Sequence, residues 1–480
     1  MSELERADMQ GILMSAYAHL PCAAYMMLRV AEPRGARAWL RTLAGGITTG
    51  GGKDEQSSVN VALTHPGLAA LGLHARALAT FPMAFQEGMA SEKRSRVLGD
   101  TEDSAPASWR WGNAATPVHV LLMLFARDET ILSAVIDAQK RGVAGSNGVE
   151  HVLTLSAGRQ PDTREHFGFN DGTGQPVIAG SGRKMRQLRR TGHATEVQPG
   201  EFVLGYVNEY GVPAETPLVD ATRDPGKVLR DVDLPADLLF ARQGSSSGWR
   251  DLGRNGSYLV FRQLSQDVAR FWQFVDAATR NGNGPGDPDA RVRLAAKMVG
   301  RWPSGAPLVK SPERDDPSLA HENNFGYADT DKHGFACPIG AHIRRCNPRD
   351  SLGDDPKKAR AAANRHRLLR RGRSYGDRIA NPLMDDGRER GLHFICLNAD
   401  IERQFEFVQQ TWINNPMFGG LTGEVDPLMG TQTGRGTHTV PHDPLRTRIH
   451  GLSRFVHVKG GAYFFLPGMA ALRYLASAEA

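Results

Sequence analysis

The 480-residue chain has four cysteines, Cys22, Cys337, Cys346 and Cys396, and no CxxC pair among them. That scarcity leaves a structural zinc site, thioredoxin-type chemistry and covalent attachment of a c-type haem without support. It fits a reducing, intracellular setting better than a disulfide-stapled one. No apolar run reaches the ~18 residues that a membrane span needs, so no membrane partner is expected. No block of lysine or arginine resembles a nucleic-acid-binding tail. The net charge of +6 is mild for this length, and no nucleic-acid partner is expected either. Met1 to Gln10 is acidic and polar, with no basic start leading into an apolar stretch and no twin arginine. No export signal is therefore visible, and a cytoplasmic location is expected.

What is present is ordinary for a globular protein, at 40% apolar and 23% charged residues. The length suffices for two or three domains or for one duplicated architecture. Alternation of apolar and small residues predicts strands near Gly11–Ala16, Tyr25–Val30, Ser58–Leu63, Thr116–Ala126 and Glu150–Ser156. Helices are predicted at Pro33–Leu43, across Pro66–Met89 with a break at Phe81–Pro82, and at Glu129–Arg141. The first third thus reads β-α-β-β-α-β, a ferredoxin-like pattern. Further strands are expected at Phe202–Val207, Ser257–Arg262, Leu392–Asn398 and Ala462–Leu466, and helices at Gln266–Thr279 and Ile401–Ile413. Asn281–Pro288 reads as a turn and Asp350–Ala363 as a surface excursion. The expected class is α+β, with two ferredoxin-like halves over residues 1–200 and 201–480.

Three segments carry candidate chemistry. In CPIGAHIRRCNPR, Cys337 to Arg349, His342 stands among small and apolar residues before two arginines. An imidazole can hold a haem iron and guanidinium groups can pair with carboxylates, but a partly buried structural histidine reads equally from these residues. In HFGFNDGTGQP, His166 to Pro176, Asp171 sits in a glycine-rich turn, where a bent backbone brings a carboxylate close to a ligand. It reads as a turn residue, as part of a calcium loop that lacks the other ligands, or as a catalytic carboxylate. In HRLLRRGRSYG, Arg370 follows two leucines, and a cation against an apolar wall is costly unless it faces an anion. By contrast GGITTGGGK, Gly45 to Lys53, fails as a phosphate loop, because Ile47 stands where glycine should and Asp54 follows the lysine.

Taken together these segments resemble those of dye-decolourising peroxidases. GFNDG matches the family's GxxDG signature, CPIGAHIRRCNPR its proximal-histidine segment, LLRRGRSYG its distal-arginine segment and ERGLHF, Glu389 to Phe394, its distal strand. Matching blocks run nearly end to end, from DMQGILMSAYAHL to FVHVKGGAYFFLPG, and the insertions resemble the larger bacterial and fungal-like members. The resemblance implies two ferredoxin-like halves packed as a dimeric α+β barrel, with haem b, one per chain, mainly in the second half. It implies His342 as iron ligand, Asp171 as distal acid/base and Arg370 as charge stabiliser. It also implies Leu392 and Phe394 as distal wall, Asp426 in VDPLMG as partner of His342, and Arg344 or Arg345 as propionate partners. One position departs from the pattern: compact members carry Asn two residues after the distal arginine, where this chain has Gly372. Trp272, Tyr375 and Trp412 read as core aromatics or as electron relays toward bulky reductants.

The implied activity is reduction of hydrogen peroxide coupled to oxidation of small phenolic or dye-like reductants. A haem carrier or iron-release protein is the alternative, and the pairing of Asp171 with Arg370 argues against it, since a carrier needs neither a base nor a fixed cation there. The composition allows a homo-oligomer.

Overall fold

The computed structural model of the chain describes residues 3–52, 55–191, 195–232, 248–280, 284 and 286–477. Lys53 of the glycine-rich turn, Asp54 after it, and residues 281–283 and 285 of the turn expected at Asn281–Pro288 lie outside these.

Four long runs of the first half form strands β1 (Cys22–Val30), β2 (Ser57–Leu63), β3 (Val120–Ala126) and β4 (Val149–Gly158). The second half contributes β5 (Ser257–Gln266), the short β6 (Leu369–Arg370) and β7 (Arg373–Tyr375), β8 (Gly391–Asn398) and β9 (Val456–Leu466). They join in one sheet in the order β5-β9-β2-β3-β1-β4-β7-β8-β6, and β5 also pairs with β8, so the sheet closes on itself. Within it, β4-β1-β3-β2 and β9-β5-β8-β7 are two antiparallel ferredoxin-like quartets of the same internal order. Two seams, each a single residue pair, join them: Leu63 with Phe465 between β2 and β9, and Gly158 with Ser374 between β4 and β7. This is the α+β architecture of paired ferredoxin-like halves that the sequence predicts.

Closure explains why the strands read as near-continuous apolar runs rather than a clean alternation, because both faces are buried. Tyr25, Met27, Leu121, Met123, Phe125, Leu259, Phe261, Ile395, Leu397 and Phe464 fill the barrel interior. Their odd-even partners Met26, Leu28, Leu122, Leu124, Val260, Cys396 and Phe465 face outward into a second core. Helices cover that outer face. Helix α1 (Pro33–Ala44) starts at Glu32, whose carboxylate accepts the Arg34 and Gly35 N–H groups, and buries Ala36, Trp39, Leu40 and Leu43. Helix α2 (Glu129–Ala144) is capped in the same way by Asp128. In the second half, α3 (Val268–Thr279) and α4 (Pro288–Val299) pack as a pair.

Two expected strands are not strands. Gly11–Met14 is a short helix with all four residues buried, so its apolar character carries no period to read. Phe202–Val207 is a turn that follows the 3₁₀ segment Pro199–Glu201, because Gly205 takes a φ of +81° that breaks the extended run. The helix expected at Ile401–Ile413 is present but underwound into two π-helical segments, Ile401–Glu406 and Val408–Ile413. Among the described residues no helix is long and apolar enough to cross a membrane.

Candidate active site

His342 opens helix α5 (His342–Cys346), a single turn that begins after the Pro338–Ala341 bend. Its Nδ1 donates to Oδ2 of Asp426 at 2.9 Å. Asp426 is fully buried, and its other oxygen accepts the N–H groups of Leu428 and Met429 at 2.9 and 2.8 Å. The carboxylate is thus held from behind and fixes both the tautomer and the ring orientation, leaving Nε2 as the free nitrogen. Burial alone would push the imidazole down, but the Asp426 charge and the nearby Cys346 hold it well above its ordinary value. Cys346 lies four residues on, on the same helix face, with Sγ 3.7 Å from both ring nitrogens.

Asp171 and Arg370 come from opposite halves of the chain and meet at 2.9 Å between Arg370 Nη1 and Asp171 Oδ1. Asp171 sits between Gly168 and Gly172, whose φ angles of +95° and +88° give the turn its shape. Arg370 belongs to β6, where its N–H donates to Gln175 Oε1, so the two segments are tied by backbone as well as by charge. Burial would raise the Asp171 carboxyl, yet Arg370, the Gly172 N–H and the His342 charge more than offset it and hold it below the usual carboxylate value. The Asp171 charge in turn keeps Arg370 protonated. Asp171, Arg370 and His342 all lie deep in the fold. Even so, their side chains keep 47%, 35% and 26% of their surface open.

The wall residues follow the strand period. Along β8, Leu392 and Phe394 are half-buried, whereas His393 and Ile395 between and beyond them point into the packed barrel. Gly372 has a steric reason. A Cβ there would lie 2.6 Å from the carbonyl oxygen of His393, so β8 approaches too closely for the Asn of compact relatives. The three aromatics are placed as packing groups first. Trp272 donates to Phe167 O at 3.2 Å and stacks on Phe169, Trp412 is 5% exposed, and Tyr375 donates to Glu389 at 3.2 Å.

Arg344 and Arg345, expected as propionate partners, are both bonded within the protein. Arg344 pairs with Asp331 at 3.2 Å, donates to the carbonyls of Cys337 and Asp331, and lies 4.3 Å over the Tyr327 ring. Arg345, fully buried, donates to the carbonyls of Gly340, Trp412, Asn415 and Glu424. Both guanidinium groups hold the segment around His342.

The cations left over lie elsewhere. Arg349 and Arg367 are 7% and 8% exposed, and among the described residues neither forms an ion pair. Arg349 donates to Asn323 and Phe325 and Arg367 to Gly174 O at 2.7 Å, all uncharged acceptors. Burial, with Arg349, Arg370 and Arg360 nearby, pushes Arg367 down to about 9. Buried charge of this kind is costly unless it is compensated, and among the described residues Arg301, Arg345, Arg371, Arg373 and Arg454 are likewise buried without an ion pair, on neutral acceptors. An imidazole backed by a carboxylate, with a second carboxylate–guanidinium pair within electrostatic reach, would suit a haem whose iron His342 would hold.

Fold and site define a haem peroxidase of the paired ferredoxin-like type. The chain is 30% identical over 460 residues to a dye-decolorizing peroxidase of Mycena epipterygia, covering 88% of this chain and 76% of that one. It is 30% identical over 438 residues to the multifunctional dye peroxidase DyP2 of an Amycolatopsis species, covering 87% and 82%. A solved dye-decolorizing peroxidase in complex with 2,6-dimethoxyphenol superposes with a TM-score of 0.75 at 25% identity, over 99% of this chain and all of that one. No protein-family model matches the chain. The chain belongs to the dye-decolourising peroxidase family, an oxidoreductase family of haem enzymes acting on peroxide.

Proposed function

We propose that the protein reduces hydrogen peroxide at one haem b per chain and oxidises small phenolic or dye-like aromatic compounds, with His342 as the iron ligand, Asp171 as the acid/base and Arg370 as the charge stabiliser. The observation that carries the reading is the pairing of two sets of residues within electrostatic reach of each other: His342 with Asp426, and Asp171 with Arg370. When bound, haem supplies the redox centre. Nε2 of His342 would hold the iron, and Asp426 would make the imidazole more basic, which would favour the oxidised states. Arg349 and Arg367 would be available to pair with the propionates. The Asp171 carboxylate takes the proton of incoming peroxide and returns it to the departing oxygen. Arg370, fixed by that carboxylate, stabilises the negative charge that develops between the two steps. Leu392 and Phe394 line the approach and admit a small oxidant while excluding bulky reductants.

The phenolic reductant class is supported by the related structure that holds 2,6-dimethoxyphenol. The cytoplasmic reading is supported by four unpaired cysteines, two of them buried. The test is an absorption spectrum of the haem-loaded protein before and after one equivalent of peroxide at mildly acidic pH. New bands that a phenol discharges support the peroxidase, whereas bleaching alone favours a carrier.

A further inference from the structure

The loop that presents Asp171 is held by a second carboxylate to which the reaction assigns no part. Glu165 lies on the same loop, deep in the fold. Its Oε2 accepts the N–H of Phe167 at 2.8 Å and the side-chain amide of Gln266 at 2.7 Å, while Oε1 accepts the N–H of Phe169 at 3.0 Å. The main chain closes the same turn, with Glu165 N–H to Phe169 O at 3.0 Å and Gly168 N–H to Glu165 O at 2.9 Å. From there the loop runs to Asp171, held at Asn170, whose N–H reaches Pro303 O at 3.1 Å and whose side chain reaches Ser304 O at 3.2 Å, and at Asp171, whose N–H reaches Thr163 O at 3.5 Å and whose carboxylate meets Arg370. Gln266 is the last residue of β5, and Phe167 and Phe169 rest on Phe271 and Trp272 of α3. Glu165 therefore anchors a first-half loop to the second half, where His342 resides.

Three N–H donors converge on two oxygens, and only an ionised carboxylate can accept all three. A glutamine, or a protonated glutamate, sets a donor against a donor and releases at least one of them. We infer that Glu165 is a positioning residue for proton transfer: its carboxylate, shared among Phe167, Phe169 and Gln266, sets where Asp171 stands. The inference rests on the acid/base role proposed for Asp171. The groups facing Glu165 are Asp171 and His166 on its own loop, uncharged Gln266 from β5, and Phe271 and Trp272 from α3. His166 is turned to Tyr375 O. Burial pushes the Glu165 carboxyl up to about 7, the Phe167 N–H, Gln266 and the Phe169 N–H resist, and the Asp171 charge adds to the rise.

The experiment compares haem-loaded wild type, Glu165→Gln, Asp171→Asn and the double variant by stopped-flow mixing with peroxide across pH. The haem Soret band and the reductant KM are followed alongside. Displacement of an acid/base group by part of an ångström costs on the order of 10-fold to 100-fold in rate, so a slowing of about that size is expected for Glu165→Gln, with KM and haem content retained. The wild-type rate is expected to show an inflection near 7 that Glu165→Gln lacks. In the Asp171→Asn background, Glu165→Gln is expected to cost nothing further, because the two act in series. Additive losses, or a Glu165→Gln enzyme with wild-type rate and pH profile, overturn the inference. If Asp171→Asn itself reacts as wild type, the acid/base assignment fails instead, and the two failures are distinguishable. Should Glu165→Gln not fold, Gln266→Leu removes one donor without touching the carboxylate. It is expected to speed amide exchange at Phe167 and Phe169 in the haem-free protein, and unchanged exchange there overturns the inference as well.

Discussion

Arg370 and Asp171 form a 2.9 Å ion pair across the two halves of the chain, and each sets the charge state of the other. The carboxyl is held below its ordinary value, so it stays ionised as pH falls past ~3.9. The acid limb that belongs to Asp171 is therefore expected below that pH, separate from the inflection near 7 assigned to Glu165. Removing the cation in Arg370→Leu leaves burial unopposed, raises the Asp171 carboxyl and moves the limb to higher pH. Stopped-flow rates between pH 2.5 and 7 measure the shift, and an unmoved limb contradicts the pairing. Asp171→Asn is expected to slow the same step by roughly 10²–10⁴-fold while leaving haem in place.

The Asp426 carboxylate accepts from His342 and from two backbone N–H groups at once. Asp426→Asn is expected to keep the fold and most of the haem, to raise the ferric/ferrous potential, and to cost about 10-fold to 100-fold in activity. Spectroelectrochemistry reads the potential directly. His342→Ala is expected to lose haem or its normal Soret band, and an unaltered band would rule the residue out as ligand.

Arg344 and Arg367 separate two kinds of buried arginine. Arg344→Ala strands Asp331 in a pair whose side chains are both 3% exposed, and is expected to cost about 3–5 kcal/mol of stability. Arg367→Ala removes a charge without a carboxylate partner, and is expected to leave the haem-free protein as stable as wild type or more so while weakening haem binding. Thermal melts of the haem-free protein and haem titration by absorbance distinguish the two.

Gly372→Ala puts a Cβ 2.6 Å from the His393 carbonyl oxygen. A strained contact of this sort costs about 1–3 kcal/mol. A melt lowered by several degrees is expected, with Arg370 displaced and the peroxide rate reduced.

Part of this was legible from residues alone. The strands of the first half declare themselves because β1, β3 and β4 are long and bounded by polar turns, whereas the roles of His342, Asp171, Arg370 and Asp426 were implied only by the resemblance of their segments to a known family. What Arg344 and Arg345 bond to was not legible from their adjacency to His342, because Asp331, Trp412 and Glu424 lie outside the segment that carries them. Once a helix begins at His342, its 100° step turns Arg344 to the far side. The same step returns Cys346 beside the imidazole, a contact that a helical reading of HIRRC contains. Arg349, Arg367 and Glu165 could not be read, since their meaning lies in partners tens or hundreds of residues away: Asn323, Gly174 and Gln266.

The two single-pair seams, Leu63 with Phe465 and Gly158 with Ser374, have a consequence for how such a chain arises and fails. Each quartet alone would end in two bare strand edges, which invite pairing with any other exposed strand. Closing each quartet on the other within one polypeptide uses those edges up. The chain is in effect a dimer folded into a single molecule, with the proton-handling carboxylate supplied by one pseudo-subunit and the metal-holding imidazole by the other. A partly unfolded chain would reopen the seams first, and the partner that best fits them would be the opposite half of a second copy.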